Sequence, residues 1–185
     1  MWFLFPVIKT QQAIAILLNQ ISVMEVKDIH FKIAVYKSSD ELEKFDGSLL
    51  ASARDAIQFA YAPYSNFFVG AAALLANGKI LTGTNQENAS YPVGICAERV
   101  LLSAIASLYP GEPIQTMAIT YSNSNGESNK PISPCGMCRQ ALVEHEHRTK
   151  MPFRIILSGM SGEVFVIENA RQLLPLSFTA NDMNT

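Results

Sequence analysis

At 185 residues, with a formal net charge of -2 and three cysteines, the chain fits one domain with a full core and offers no basic excess for binding nucleic acid. An odd cysteine count without an evident export signal argues against a disulfide framework and for a reducing, cytoplasmic compartment. No apolar run approaches the roughly 20 residues that a membrane-spanning helix requires, so a small-molecule substrate fits better than a membrane or a nucleic acid.

Residues 2–7 are apolar, 9–12 polar and 13–18 apolar again, and no basic residue precedes Lys9. A secretory signal has a positive start and one unbroken apolar stretch. Residues 1–23 therefore read as an extension upstream of a start at Met24 or as a peripheral helix, with a signal or membrane-surface anchor as the lesser alternative, and 24–185 as a single domain. Residues 27–36 mix apolar and polar side chains at strand spacing, and Ser38, Ser39 and Asp40 offer a turn or helix cap. In 48–61, Leu49, Leu50, Ala53, Ile57 and Ala60 recur at helical spacing, which predicts an amphipathic helix ending before Pro63. Segments 68–75 and 79–82 flank Asn77-Gly78, a strong hairpin signal.

Residues 96–108 contain neither Gly nor Pro and repeat Val100, Leu101, Ala104 and Leu108 on one side. They predict a second helix, stopped before Pro110. A short buried strand over 116–121 precedes a polar loop over 122–130. A third helix over 135–148, strands over 153–157 and 164–167 and a short helix over 172–174 complete the series. The end of the third helix, Glu144-His145-Glu146-His147-Arg148, reads as a solvated face. Strands alternating with helices predict a layered α/β domain.

All three cysteines fall within two short motifs, Cys96-Ala97-Glu98 and Pro134-Cys135-Gly136-Met137-Cys138. Zinc held by three protein ligands keeps its fourth position for water, whereas structural zinc takes four and closes its shell. Cys96 and Cys135 each open a predicted helix, where free N–H groups and roughly half a positive charge from the dipole favour thiolates. Cys138 lies three residues after Cys135, on the same face, and can chelate with it. Three thiolates leave the zinc complex with about one negative charge, and Arg99, three residues after Cys96, is the candidate cation to offset it.

Glu98 is the candidate proton carrier. An attacking water must lose a proton and a leaving amine must gain one, and one carboxyl group beside the metal can serve both. Alone, Glu98 reads equally as a first-turn acid worth about 0.3–1 kcal/mol. Next to Cys96 and a Cys-x-x-Cys helix start, the arrangement matches the pattern of zinc-dependent base deaminases.

From about residue 48 to 178 the chain resembles the cytidine deaminase family, in its small three-cysteine, homotetrameric branch. The resemblance rests on separated motifs in family order. They are Ala62-Pro63-Tyr64-Ser65-Asn66-Phe67 with Val69-Gly70-Ala71-Ala72, Asn85-Gln86-Glu87-Asn88-Ala89-Ser90-Tyr91, the two cysteine motifs with Arg99, Arg139 and Gln140, and Leu173-Leu174-Pro175-Leu176-Ser177-Phe178. It implies a three-layer α/β/α fold around a mixed five-stranded sheet, with one Zn2+ per subunit on Cys96, Cys135 and Cys138. It implies that Glu98 moves protons and that Asn85 and Glu87 bind the ribose 3′-hydroxyl. Phe67, Ala89, Tyr91 and Ala97 would contact the nucleoside, and Phe178 would stack on the base from a neighbouring subunit of a homotetramer. The implied reaction is hydrolytic deamination of cytidine and deoxycytidine in pyrimidine salvage.

Each substrate residue has a plainer reading by itself. Phe67 and Phe178 suit a core, Asn85 suits a turn after a strand, and Tyr91 suits packing. Two other functions share the zinc motif: a deaminase acting on blasticidin-like nucleosides or on a base within RNA, and a zinc-stabilised binding domain without catalysis. Asn85 and Glu87 favour a free nucleoside, the charge disfavours RNA, and an intact Glu98 disfavours the non-enzyme.

Overall fold

Strand alternation sorts the apolar residues onto the two faces of one sheet. The computed structural model describes residues 24–183, and the extension expected over 1–23 lies outside the described residues. By internal contacts the chain divides into two units, Met1–His30 and Phe31–Thr185. Residues 24–30 of the first unit form neither helix nor strand.

In the second unit the strands are β1 (Ala34–Tyr36), β2 (Phe67–Leu75), β3 (Ile80–Thr84), β4 (Ile114–Asn123), β5 (Arg154–Ser158) and β6 (Val164–Ile167), in the sheet order β1-β6-β5-β4-β2-β3. Only β4 and β5 run parallel; the other neighbours are antiparallel. The mixed sheet expected from the sequence is present, with six strands among the described residues where five were expected. The sixth is the three-residue edge strand β1, where the alternation over 27–36 finds a partner only at Ala34–Tyr36 against β6. The expected hairpin turns at Asn77-Gly78, where Gly78 takes φ +80° and the Asn77 side chain accepts from the Lys79 N–H at 3.0 Å.

The helices are α1 (Lys44–Ala56), α2 (Ala97–Leu108) and α3 (Gly136–Thr149). Leu49, Leu50 and Ala53 of α1 pack on Ala72, Leu74, Ala118 and Ile156 on one face of the sheet. Leu101 and Ile105 of α2 and Leu142 of α3 pack with Ala71, Ala73, Met117, Ile119, Ile155 and Leu157 on the other. The three layers follow from the period-two alternation. Helix α1 starts four residues before the expected position 48. Its first turn carries Asp46, buried and paired through both oxygens with Arg154 of β5 at 2.7 and 3.2 Å, a tertiary contact that local spacing does not reveal. No helix among the described residues is long and apolar enough to cross a membrane.

The end of α3 departs from the solvated face expected of it. His145 is 3% exposed and sits edge-on to Phe153 with ring centroids 6.0 Å apart. Glu146 is also buried, and its Oε1 accepts from the N–H groups of Phe153 and Ala170, both at 3.1 Å. These groups meet an aromatic ring and backbone amides from later in the chain, so the helical pattern alone misassigns them.

Burial, reinforced by the Arg148 charge, pushes the His145 pKa down to about 4. Its folded value lies below that of free imidazole, so the unfolded chain takes up the proton first. Stability is then complete above the unfolded pKa and falls with pH, by about 2 kcal/mol between pH 7 and pH 5. Denaturant melts across that range should show this slope reduced in His145→Phe. An unchanged slope would remove His145 as its source.

Candidate active site

Helices α2 and α3 lie on the same face of the sheet and bring their N-terminal ends together. Cys96 is the N-cap of α2, Cys135 is the N-cap of α3, and neither cap position uses a side-chain hydrogen bond. Cys138 is buried in the first turn of α3. The Cys135 sulfur lies 3.8 Å from that of Cys96 and 3.5 Å from that of Cys138, and all three lie within 4.8 Å of one another.

Zinc–sulfur bonds of about 2.3 Å at tetrahedral angles separate ligand sulfurs by about 3.8 Å. The donors therefore fit a zinc ion without rearrangement of the backbone. A hydrogen bond with Cys138 holds the Cys96 thiol down at about 6, and the Arg99 charge acts in the same direction. The same bond and burial push Cys138 up. Metal binding takes the thiolate form of its ligands and displaces thiol protons.

Glu98 occupies the first turn of α2 and is 4% exposed. Burial raises its carboxyl above the usual range, against an opposing hydrogen bond to its own backbone and another to Cys138. It is thereby poised nearer neutrality than a surface glutamate, as a two-way proton carrier requires. Ala97, between Cys96 and Glu98, is fully buried.

The helix start reaches this position because Gly83 of β3 has no side chain. A Cβ there would stand 2.7 Å from the Ala97 carbonyl oxygen and 2.7 Å from the Leu101 nitrogen. Gly83→Ala should therefore push α2 off the sheet, destabilise the domain by about 1–3 kcal/mol, and lower its zinc content. Denaturant unfolding with a zinc assay would check this. A change within about 0.5 kcal/mol with full zinc would show that the approach has slack.

Residues 85–87 run beside the metal cluster, held by a residue that motif reading passed over. Gln86 exchanges two backbone hydrogen bonds with Ile95, at 2.9 and 3.0 Å, next to Cys96. On its other side, Tyr61 donates to the Asn85 carbonyl at 3.0 Å and accepts from the Glu87 N–H at 2.8 Å. The Gln86 side chain donates to the Phe59 carbonyl at 3.2 Å and the Thr84 hydroxyl at 3.0 Å, but the link to Ile95 is made by its backbone, which leaves no mark in the sequence.

The Asn85 side chain accepts from Val69 N–H at 2.7 Å and donates to the Phe67 carbonyl at 2.9 Å, extending the β2 ladder. Glu87 accepts from the N–H groups of Tyr64 at 2.9 Å and Ser65 at 3.3 Å. Its pKa is lowered, first by the Ser65 hydroxyl and then by these amides.

Phe67 is half-buried and stacks on Tyr121, with ring centroids 4.8 Å apart and planes inclined by 15°. Tyr64 and Tyr91 meet edge to face at 5.9 Å. They line a cleft of about 360 Å³ with Ser65, Glu87, Asn88 and Gly94, a volume in the range of small-ligand sites. Ala89 is exposed, Tyr91 is 75% exposed and Phe178 is 60% exposed. A cavity of about 390 Å³ at the far end of α3, around Glu146, Lys150 and Arg171, contains no cysteine, and Glu146 is already engaged there by backbone amides.

The geometry agrees with the comparisons with known proteins. Residues 43–153, more than half of the chain, match the family model described as the cytidine and deoxycytidylate deaminase zinc-binding region. The chain is 37% identical to the cytidine deaminase of Halalkalibacterium halodurans over 136 residues, covering 74% of this chain and 96% of that protein. It is 41% identical over 97 residues to the cytidine deaminase of Mycobacterium tuberculosis, covering 52% of this chain and 68% of the other. The crystal structure of cytidine deaminase from Burkholderia pseudomallei superposes with a TM-score of 0.61 at 40% identity, covering 71% of this chain and 97% of that one. The chain belongs to the cytidine and deoxycytidylate deaminase family defined by this zinc-binding region.

Proposed function

We propose that the protein hydrolyses cytidine and deoxycytidine to uridine and deoxyuridine with release of ammonia, as a step of pyrimidine salvage in the cytoplasm. The reading is carried by one observation, three sulfurs at zinc-ligand spacing with buried Glu98 in the adjoining helix turn. Residues 24–185 are taken as one catalytic domain. Cys96, Cys135 and Cys138 hold the zinc, which when bound supplies a water acidified towards neutral pH. Arg99 offsets the charge of the thiolates.

Glu98 receives the proton that the attacking water loses and passes it to N3 of the base. It then takes the remaining proton from the new C4 hydroxyl and delivers it to the leaving amine as the C4–N bond breaks and the C4 carbonyl forms. One water is consumed and one ammonia released, so atoms and charge balance. Asn85 and Glu87 orient the ribose through its 3′-hydroxyl. Asn85 keeps one N–H and one lone pair beyond its bonds to β2, and Glu87 is an ionised acceptor at neutral pH. The Phe67 ring, stiffened by Tyr121, forms a wall beside the nucleoside, with Ala89, Tyr91 and the Ala97 backbone along its rim.

Phe178 and Tyr91 are largely exposed in the single chain. That exposure supports a homotetramer in which Phe178 reaches the base bound by a neighbouring subunit. A formal charge of -2 favours a free nucleoside over RNA as the substrate.

The test is the fall in ultraviolet absorbance of cytidine on incubation with purified, zinc-loaded protein. Turnover of cytidine or deoxycytidine is the expected result. No turnover by a zinc-replete assembly would overturn the reading and redirect it to modified nucleosides or RNA.

A further inference from the structure

Three consecutive residues of α3 tie together parts of the chain that the reaction needs in register. Cys138 offers its thiol to the metal cluster. Arg139 donates through Nε to the Pro134 carbonyl at 2.8 Å, immediately before Cys135, and through Nη1 to the Leu173 carbonyl at 3.1 Å. Gln140 donates through Nε2 to the Phe178 carbonyl at 2.8 Å. One helical turn thus holds a metal ligand, the approach to a second one, and both ends of the segment from Leu173 to Phe178.

That segment is not relaxed. Leu176 has φ +57°, a left-handed backbone that a branched L side chain rarely adopts, and its side chain is 93% exposed. Such a conformation persists where surrounding bonds over-determine it. The bonds at Leu173 and Phe178 flank it on both sides, and the Asp182 carboxylate accepts from the Thr179 N–H at 2.7 Å and hydroxyl at 3.0 Å just beyond. The Phe178 backbone is therefore fixed while its ring stands in solvent.

We infer that Gln140 is a positioning residue for the reaction: its amide fixes the C-terminal arm to the metal-bearing helix and so sets where the Phe178 ring is presented. The inference rests on the proposed contact of Phe178 with the base. Gln140 itself touches no reacting atom, and its effect passes through the arm.

Gln140→Glu keeps the length of the side chain and replaces its donor with an oxygen that repels the Phe178 carbonyl. Loss of this one bond should raise KM for cytidine about tenfold, with kcat held within about twofold and zinc per chain unchanged. Backbone amides of 176–180 should exchange with deuterium about tenfold faster. Gln140→Lys, which restores a donor, should recover most of both changes. Combined with Phe178→Ala, Gln140→Glu should add nothing to KM, since both act through one side chain.

Unchanged amide exchange in Gln140→Glu would overturn the tether. Additive effects on KM in the double variant, or loss of activity that tracks loss of zinc, would overturn the positioning role. Failure of the wild type to deaminate cytidine would defeat the functional reading and, with it, the positioning role. The exchange measurement would still decide the tether.

Discussion

Glu98→Gln is expected to lower kcat for cytidine by about a thousandfold or more, within the contribution of a well-placed proton carrier, while zinc content stays at the wild-type level. The amide fills the same buried space but cannot take a proton from water or return one to nitrogen. Burial already disfavours the ionised carboxylate, so the neutral amide should not destabilise α2, and the melting temperature should hold or rise. Steady-state turnover, a colorimetric zinc assay and a thermal melt on the same sample separate these effects. Turnover within tenfold of wild type at equal zinc would remove Glu98 from the chemistry.

Cys138→Ser is expected to cost the protein its metal. Cys138 is fully buried, and its sulfur lies 3.5 Å from that of Cys135 in the first turn of α3. A serine hydroxyl is shorter, stays protonated at neutral pH and leaves two thiolates to hold the ion. Zinc affinity should fall by more than about a hundredfold, beyond what loss of an outer partner of a ligand causes. After dialysis against a weak chelator the variant should carry little zinc and melt at a lower temperature, because metal binding and folding are coupled. Chelator-stripped wild type should melt in the same range. Full retention of zinc by Cys138→Ser would exclude Cys138 as a ligand.

The metal cluster was readable in the sequence because its signals are local. Two cysteines open helices and a third follows at a spacing of three, which marks all three as ligands, although only the sheet brings Cys96 to the other two. The helices and the Asn77-Gly78 hairpin were readable for the same reason. Features that depend on distant partners were not. Asp46 starts α1 early through an ion pair with Arg154, and β1 exists only where β6 offers an edge. His145 and Glu146 carry polar side chains on an outward-looking pattern, yet amides and an aromatic ring from later in the chain bury them. Gln86 acts through its backbone, which carries no residue signature. Gly83 lies just beyond the strand expected over 79–82, and only the structure carries β3 through it and shows the close backbone approach that a glycine in a strand permits.

The sheet order has a consequence for the sequence of events in folding. Cys96 and Cys135 are 39 residues apart, and the chain between them forms α2 and then β4, which lies between β5 and β2. In the folded chain their sulfurs meet across this assembled sheet, so the ion is expected to lock the domain rather than to nucleate it. Zinc should leave the refolding rate nearly unchanged and slow unfolding, as an interaction formed after the transition state does. The metal that equips the protein for chemistry would then also set its lifetime in the folded state.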